Sequence, residues 1–272
     1  MTIYSSAGLC GIQKLCLQRL IPRSLFWSRF LHFSQGKGYH CVVEFSDSDK
    51  VLIVGANSSL ASALIPQISL FNPEITAIFR KDTHINSAAF QQKMFLDLAD
   101  VSSIDRTMGQ LTLESFNYIY IFIGATSNID TKNGPIAIIS EYYAMYSARL
   151  NYLLGKLENC LSVGGTLIFL SSRAAHRSSH DAHYSAVKSS NEGFLLSLSA
   201  KTQGKRILVL APSLIENSAM YNRMSNETIN SHRERTGNQL LSSKDVTDVL
   251  IDMSVNKTKY PNGSVECIGS DW

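Results

Sequence analysis

From Lys50 onward, short apolar runs rich in β-branched and aromatic residues alternate with longer stretches whose apolar positions recur at helical spacing. Seven runs read as strands: Val51–Val54, Ile75–Phe79, Lys93–Leu96, Tyr118–Ile123, Thr166–Leu170, Arg206–Leu210 and Ser264–Ile268. The clearest helical stretch is Tyr184–Thr202, where Val187, Phe194, Leu195 and Leu198 fall at i, i+7, i+8 and i+11 and line one face. Strands that are apolar almost throughout, with no polar alternate face, must be covered on both sides. The pattern therefore predicts an α/β fold built on a doubly wound, mostly parallel sheet, with no internal repeat and no linker.

Composition adds limits. The chain has 272 residues, 44% apolar and 17% charged, which suits one domain large enough to need no disulfide framework or metal. The five cysteines are odd in number and form no CxxC pair, so a reducing compartment fits better than secretion. The net charge of +3 hides an asymmetry. Residues 1–43 carry Lys14, Arg19, Arg23, Arg29 and Lys37 and no acid, which leaves the remainder with 20 basic residues against 22 acidic ones. A body so close to neutral lacks the basic footprint of a nucleic-acid partner. No apolar run in the leader approaches the 18 or so residues of a spanning helix, and its basic residues are scattered among Leu15, Leu20, Leu25, Phe26 and Trp27. Residues 1–49 therefore read as a basic tail or as a removable presequence outside the fold. A cytoplasmic protein is expected in the first case and a mitochondrial one in the second.

Chemistry is expected just after the strands, because ligands of an open α/β sheet sit outside its carboxyl edge. The first such turn, Gly55-Ala56-Asn57-Ser58-Ser59-Leu60, is a run of small residues opening a helix, where backbone N–H groups and the helix dipole receive phosphate. The fifth strand ends in Ser171-Ser172, and Tyr184 and Lys188 follow at i and i+4 of the longest helix, on one face. A phenol is a poor acid or base at neutral pH, and an ammonium one turn away favours its ionised form. With the Ser172 hydroxyl as electrophilic partner, the three groups suit a general acid/base site that moves a proton while a hydride moves elsewhere.

These residues resemble the short-chain dehydrogenase/reductase family over about 220 residues, from Lys50 to the C-terminus. The family's nucleotide motif T-G-x-x-x-G-x-G lies on Val54 to Ala61, its N-N-A-G on Ile123-Gly124-Ala125-Thr126, its Y-x-x-x-K on Tyr184 to Lys188, and its P-G on Pro212-Ser213. The resemblance implies a single Rossmann-type domain over residues 50–272 and an oxidoreductase that interconverts a carbonyl and an alcohol on a small molecule. It implies Tyr184 as acid/base, Ser172 as the group that polarises the carbonyl, and Lys188 as a hold on the nicotinamide ribose. Gly55, Asn57, Ser58, Ser59, Leu60, Gly124, Ala125, Pro212 and Ile215 would line the cofactor, and a homodimer or homotetramer is expected. Several glycines are replaced, by Ser59, Ala61, Thr126 and Ser213, and Ala144 stands where the family has a relay Asn.

The second strand ends in Phe79-Arg80-Lys81, with a basic pair in place of the acid an NAD enzyme uses on its ribose, so NADP(H) is favoured over NAD(H). Asp97-Leu98 after the third strand matches the family's adenine-flanking pair, and a helix cap by Asp97 is the other reading. Residues 213–242, with Met220, Tyr221, Met224 and Arg233, are expected to form a flap over the substrate. No metal is expected from the neighbouring His176, His180 and His183, which lack a carboxylate at ligand spacing. Two rivals stand beside this reading: a nucleotide-binding sensor or scaffold that has kept the fold without efficient chemistry, and a sugar-nucleotide epimerase.

Overall fold

The computed structural model describes residues 45–80, 89–111, 115–127 and 129–270. The basic leader and Lys81 lie outside the described residues. Seven strands, β1 (Lys50–Val54), β2 (Glu74–Phe79), β3 (Gln92–Phe95), β4 (Phe116–Ile121), β5 (Leu161–Leu170), β6 (Arg206–Pro212) and β7 (Val265–Ile268), form one sheet in the order β3-β2-β1-β4-β5-β6-β7, and every pairing is parallel. Among the described residues, seven α-helices accompany them: α1 (Ser59–Ile68), α2 (Val101–Leu111), α3 (Ile136–Tyr143), α4 (Leu150–Asn159), α5 (Ala182–Ser199), α6 (Asn226–Arg235) and α7 (Ser243–Val255). Alternate residues of β1 face opposite layers, as the pleat requires. Leu52 and Val54 pack with Ile104 and Met108 of α2 and Leu153 and Leu157 of α4. Val51 and Ile53 pack with Leu60 and Leu64 of α1 and Val246 and Leu250 of α7. Each of these fully buried side chains contributes about 1.5–3 kcal/mol relative to exposure. Packing starts ahead of β1, where the Phe45 ring lies 4.6 Å from that of Tyr118.

All seven expected strands are present, with shifted ends. β5 begins at Leu161, five residues earlier than its apolar run, because Phe116 pairs with Leu161 across a register shift that the glycines of Ser162-Val163-Gly164-Gly165 disguise as a turn. β4 ends at Ile121, so Phe122 and Ile123 leave the sheet and enter the cleft at its edge. The α5 helix starts at Ala182, two residues before the expected Tyr184, because Asp181 caps it by accepting from the Tyr184 N–H at 2.9 Å. Chain order runs outward from β1 to β3 and then returns to β4 beside β1, which makes the β1/β4 edge the topological switch point.

Candidate active site

A cleft opens along the carboxyl edge at that switch point in two lobes of about 290 and 240 Å³ that share Ser58, Phe122, Ile123, Gly124, Thr126, Ala219 and Met220. Together they reach the ~300–1,000 Å³ typical of small-molecule sites. Gly55, Asn57, Arg80, Asp97, Leu98, Gly124 and Ala125 line the first lobe. Ser59, Leu60, Ser172, Tyr184, Lys188, Pro212 and Ile215 line the second. Every site residue expected from the sequence therefore meets in one cleft.

The first lobe takes its shape from the turn after β1 and the ends of β2, β3 and β4. Gly55 sits at φ +83°, and a Cβ there would lie 2.7 Å from the carbonyl oxygen of Phe122, so only glycine fits where β1 turns beneath β4. Asn57 reaches across to accept the Arg80 N–H at 3.0 Å, fastening the β1 turn to the end of β2. Ser58 caps α1 by accepting from the Ala61 N–H at 3.0 Å. The first N–H groups of a helix have no partner within it, so this helix start is a natural anion seat. Ala61 is fully buried in the α1 packing, so its methyl faces the core and not the cleft. The Asp97 carboxylate accepts from the Ala99 N–H at 3.0 Å, whereas Asp100 binds the Ser102 N–H at 2.9 Å at the start of α2. Asp100 is thus the helix-start residue, and Asp97 stays on the rim of the lobe.

The second lobe brings the three polar side chains together. Lys188, 3% exposed, donates to the carbonyls of Leu170 at 2.8 Å and Ile123 at 3.1 Å, and its Nζ lies 4.6 Å from the centre of the Phe169 ring and 5.9 Å from that of Tyr184. It gets there because Gly124 has no side chain: a Cβ at that position would stand 2.8 Å from Nζ. Burial pushes the Lys188 ammonium down to about 7, with the Glu192 charge opposing. Burial likewise pushes the Tyr184 phenol up to about 12; its hydrogen bond with Ser172 pulls the other way, and Asp181 adds to the rise. The expectation that the ammonium lowers the phenol is therefore corrected for the protein alone: desolvation by burial is the largest influence on both groups. The phenol keeps its proton through the neutral range.

Two features were hidden in the sequence. Asp181 also accepts from the Ser127 N–H and Oγ, both at 2.6 Å, so one carboxylate clamps the loop after β4 to the first turn of α5. Its D-x-x-Y spacing is a capping signal that a search for chemistry passes over. Ala144 opens a π-helical turn, Ala144–Arg149, and Asn191 of α5 donates to the Tyr146 carbonyl there at 3.0 Å. The expected flap contains a short 3₁₀ turn and α6. Met220, Met224, Thr228 and His232 face the second lobe, while Arg233 turns away to Glu216 at 2.9 Å and to the Tyr221 hydroxyl at 3.1 Å. The three neighbouring histidines go separate ways: His176 to Glu192, His180 beside His232, and His183 to Tyr143.

No family model and no curated protein matches the chain. Solved structures do. A short chain dehydrogenase family protein from Francisella tularensis subsp. tularensis SCHU S4 superposes with a TM-score of 0.69 at 16% identity, over 81% of this chain and 97% of that one. A short chain dehydrogenase from Burkholderia cenocepacia J2315, in complex with NADP, gives 0.72 at 13% identity, over 82% and 97%. A dehydrogenase/reductase from Sinorhizobium meliloti 1021 gives 0.72 at 14% identity, over 83% and 94%. The chain shares the Rossmann-type fold of these proteins.

Proposed function

We propose that a chain with this fold and this cleft is an NADP(H)-dependent oxidoreductase that interconverts a carbonyl and an alcohol on a small molecule. The observation that carries the reading is the convergence of Ser172, Tyr184 and Lys188 in the second lobe, beside the first lobe with Gly55, Ser58 and Gly124 on its lining. The residues suit a nicotinamide dinucleotide: Gly55 lets the chain turn tightly against Phe122 ahead of a capped helix start, and Gly124 leaves room for the Lys188 ammonium. When bound, that cofactor supplies or accepts the hydride. The β1 turn and α1 start would hold its pyrophosphate, and Lys188, two of whose donors go to the Leu170 and Ile123 carbonyls, would offer its third to a ribose hydroxyl. Arg80, exposed on the rim of the first lobe, is placed to favour a 2′-phosphate.

For reduction, the protonation states are favourable as they stand. Tyr184, held neutral by burial, gives its proton to the carbonyl oxygen as charge develops there, and Ser172 donates to the same oxygen. Lys188, poised near neutrality, can hand a proton toward the phenolate that results. The apolar walls from Met220, Met224 and Leu214 suit a substrate with an uncharged, largely hydrocarbon body. We read the assembly as a homo-oligomer, supported by Ile136 and Ile138 of α3, which are 76% and 55% exposed. The compartment follows from the fate of residues 1–43, which N-terminal sequencing of the native protein decides.

Tyr184→Phe tests the reading. Turnover of a carbonyl that the native protein reduces should drop by roughly 10²-fold or more, with NADPH affinity unchanged. NADPH binding without turnover across a broad panel of carbonyls and alcohols assigns the protein instead to a nucleotide-sensing role.

A further inference from the structure

Behind the three converging groups lies a second polar cluster that plays no part in the chemistry described so far. Glu192 follows Lys188 by one turn on α5, and it is 5% exposed. Both of its carboxylate oxygens are engaged. Oε1 accepts from the Ser171 hydroxyl, and Oε2 lies 3.0 Å from Nε2 of His176. Those two partners bracket Ser172. Ser171 precedes it at the end of β5, and His176 closes the short turn Arg173–Ala175 that Ser172 opens by accepting from the Ala174 N–H at 3.2 Å. The same turn is also tied to α5 by Ser185, which donates to the Ala174 carbonyl at 2.5 Å, and by Ser189, which donates to the Ala175 carbonyl at 2.9 Å.

Lys188 itself touches carbonyl dipoles and ring faces. A buried ammonium in such surroundings is costly unless an opposite charge lies nearby in the same low-dielectric interior. Glu192 supplies that charge from the next turn. We propose that Glu192 is a positioning residue which holds the Lys188 ammonium in its charged, carbonyl-bound state while it fixes the Ser172 turn through Ser171 and His176. The inference deepens the oxidoreductase reading and rests on it for its consequence in turnover, but not for its electrostatics. The Cys267 thiol of β7 is acted on by Glu192 together with Arg173, Arg177 and Glu266, which puts these charged groups in the same region of the fold. Tyr184 is the ionisable neighbour of Lys188 on its own helix.

The test uses the full chain without added cofactor, labelled with ¹³C at lysine Cε and at glutamate Cδ, with Lys188→Met and Glu192→Gln assigning the two signals. In the native protein the Glu192 Cδ resonance should show an inflection at the pH where Lys188 titrates, and Lys188→Met should abolish it, because the influence of two charges is reciprocal. Glu192→Gln keeps an acceptor for Ser171 and removes the charge, so the Lys188 midpoint should fall by about one pH unit. Ser171→Ala breaks a hydrogen bond and leaves the charge, so the midpoint should stay. The absence of a Glu192 inflection that disappears in Lys188→Met overturns the proposal even if Glu192→Gln does not fold. An equal shift in Ser171→Ala also overturns it, since packing and not charge would then set Lys188. In turnover, the pH at which activity is lost with the Lys188 proton should move down in Glu192→Gln along with the midpoint. A native protein that turns over nothing removes the oxidoreductase reading and leaves the titration result to stand alone.

Discussion

In the lobe that holds Ser172, Tyr184 and Lys188, the working parts are side chains, and two of them are placed by the helical repeat of α5. In the lobe bounded by β1, β2 and β3, the working parts are chain direction, helix start and the room left by Gly55 and Gly124. Substitution therefore has different meanings in the two lobes. A single changed side chain where Ser172, Tyr184 and Lys188 meet removes a reacting group. Around the β1 turn and the loop after β4, Ser59, Ala61 and Thr126 replace glycines of the resembled motif, yet the turn keeps its capped helix start and the left-handed Gly55. A cradle made of backbone depends on a few positions where a Cβ cannot stand, and not on every glycine of a motif.

The contrast can be broken or sharpened by experiment. The largest effect should come from pH. Because the buried Lys188 titrates near 7 in the folded protein and near its ordinary value of about 10.4 when unfolded, the unfolded chain binds more protons between those values. Its contribution to stability is thus complete above about pH 10.4 and is lost as pH falls toward 7. Between pH 7 and 10 the native protein should gain roughly 3–4 kcal/mol over Lys188→Met in denaturant unfolding. Parallel curves for the two proteins would contradict the burial of that charge.

Next in size is Gly124→Val, which tests where the lobes join. The added side chain should force Lys188 off its carbonyls, lowering turnover by about 10²-fold. An unaffected rate would mean that Lys188 is placed by something other than the gap at Gly124. Arg80→Ala should weaken NADPH by about 10-fold while leaving NADH unchanged; equal loss for both would remove the 2′-phosphate assignment. Smallest is Ser59→Gly, which restores a motif glycine and should improve NADPH binding by no more than roughly 3-fold. A tenfold gain would show that the replaced glycine does damage the cradle.

How much of this was legible in the residues divides along the same line. Near-continuous apolar runs disclosed all seven strands, because burial on both faces leaves a strong mark. Tyr184 and Lys188 were legible because a helix turns i and i+4 into neighbours. The Asp181 clamp on Ser127 and the Glu192 contacts with Ser171 and His176 were not, since each joins segments through folded geometry that no local spacing encodes. The first half of β5 was hidden by Gly164 and Gly165, whose turn-like character is overridden by pairing with Phe116. The sense of the titrations was missed for a related reason: attraction between neighbouring groups is visible in a spacing, and the cost of burying them is not.

The most direct test of the whole account is calorimetric titration of the full chain with NADPH. The two lobes as described predict saturable binding of one dinucleotide per chain, weakened when Lys188 is replaced by Met. No measurable heat at millimolar NADPH would contradict the claim that this cleft is a dinucleotide site.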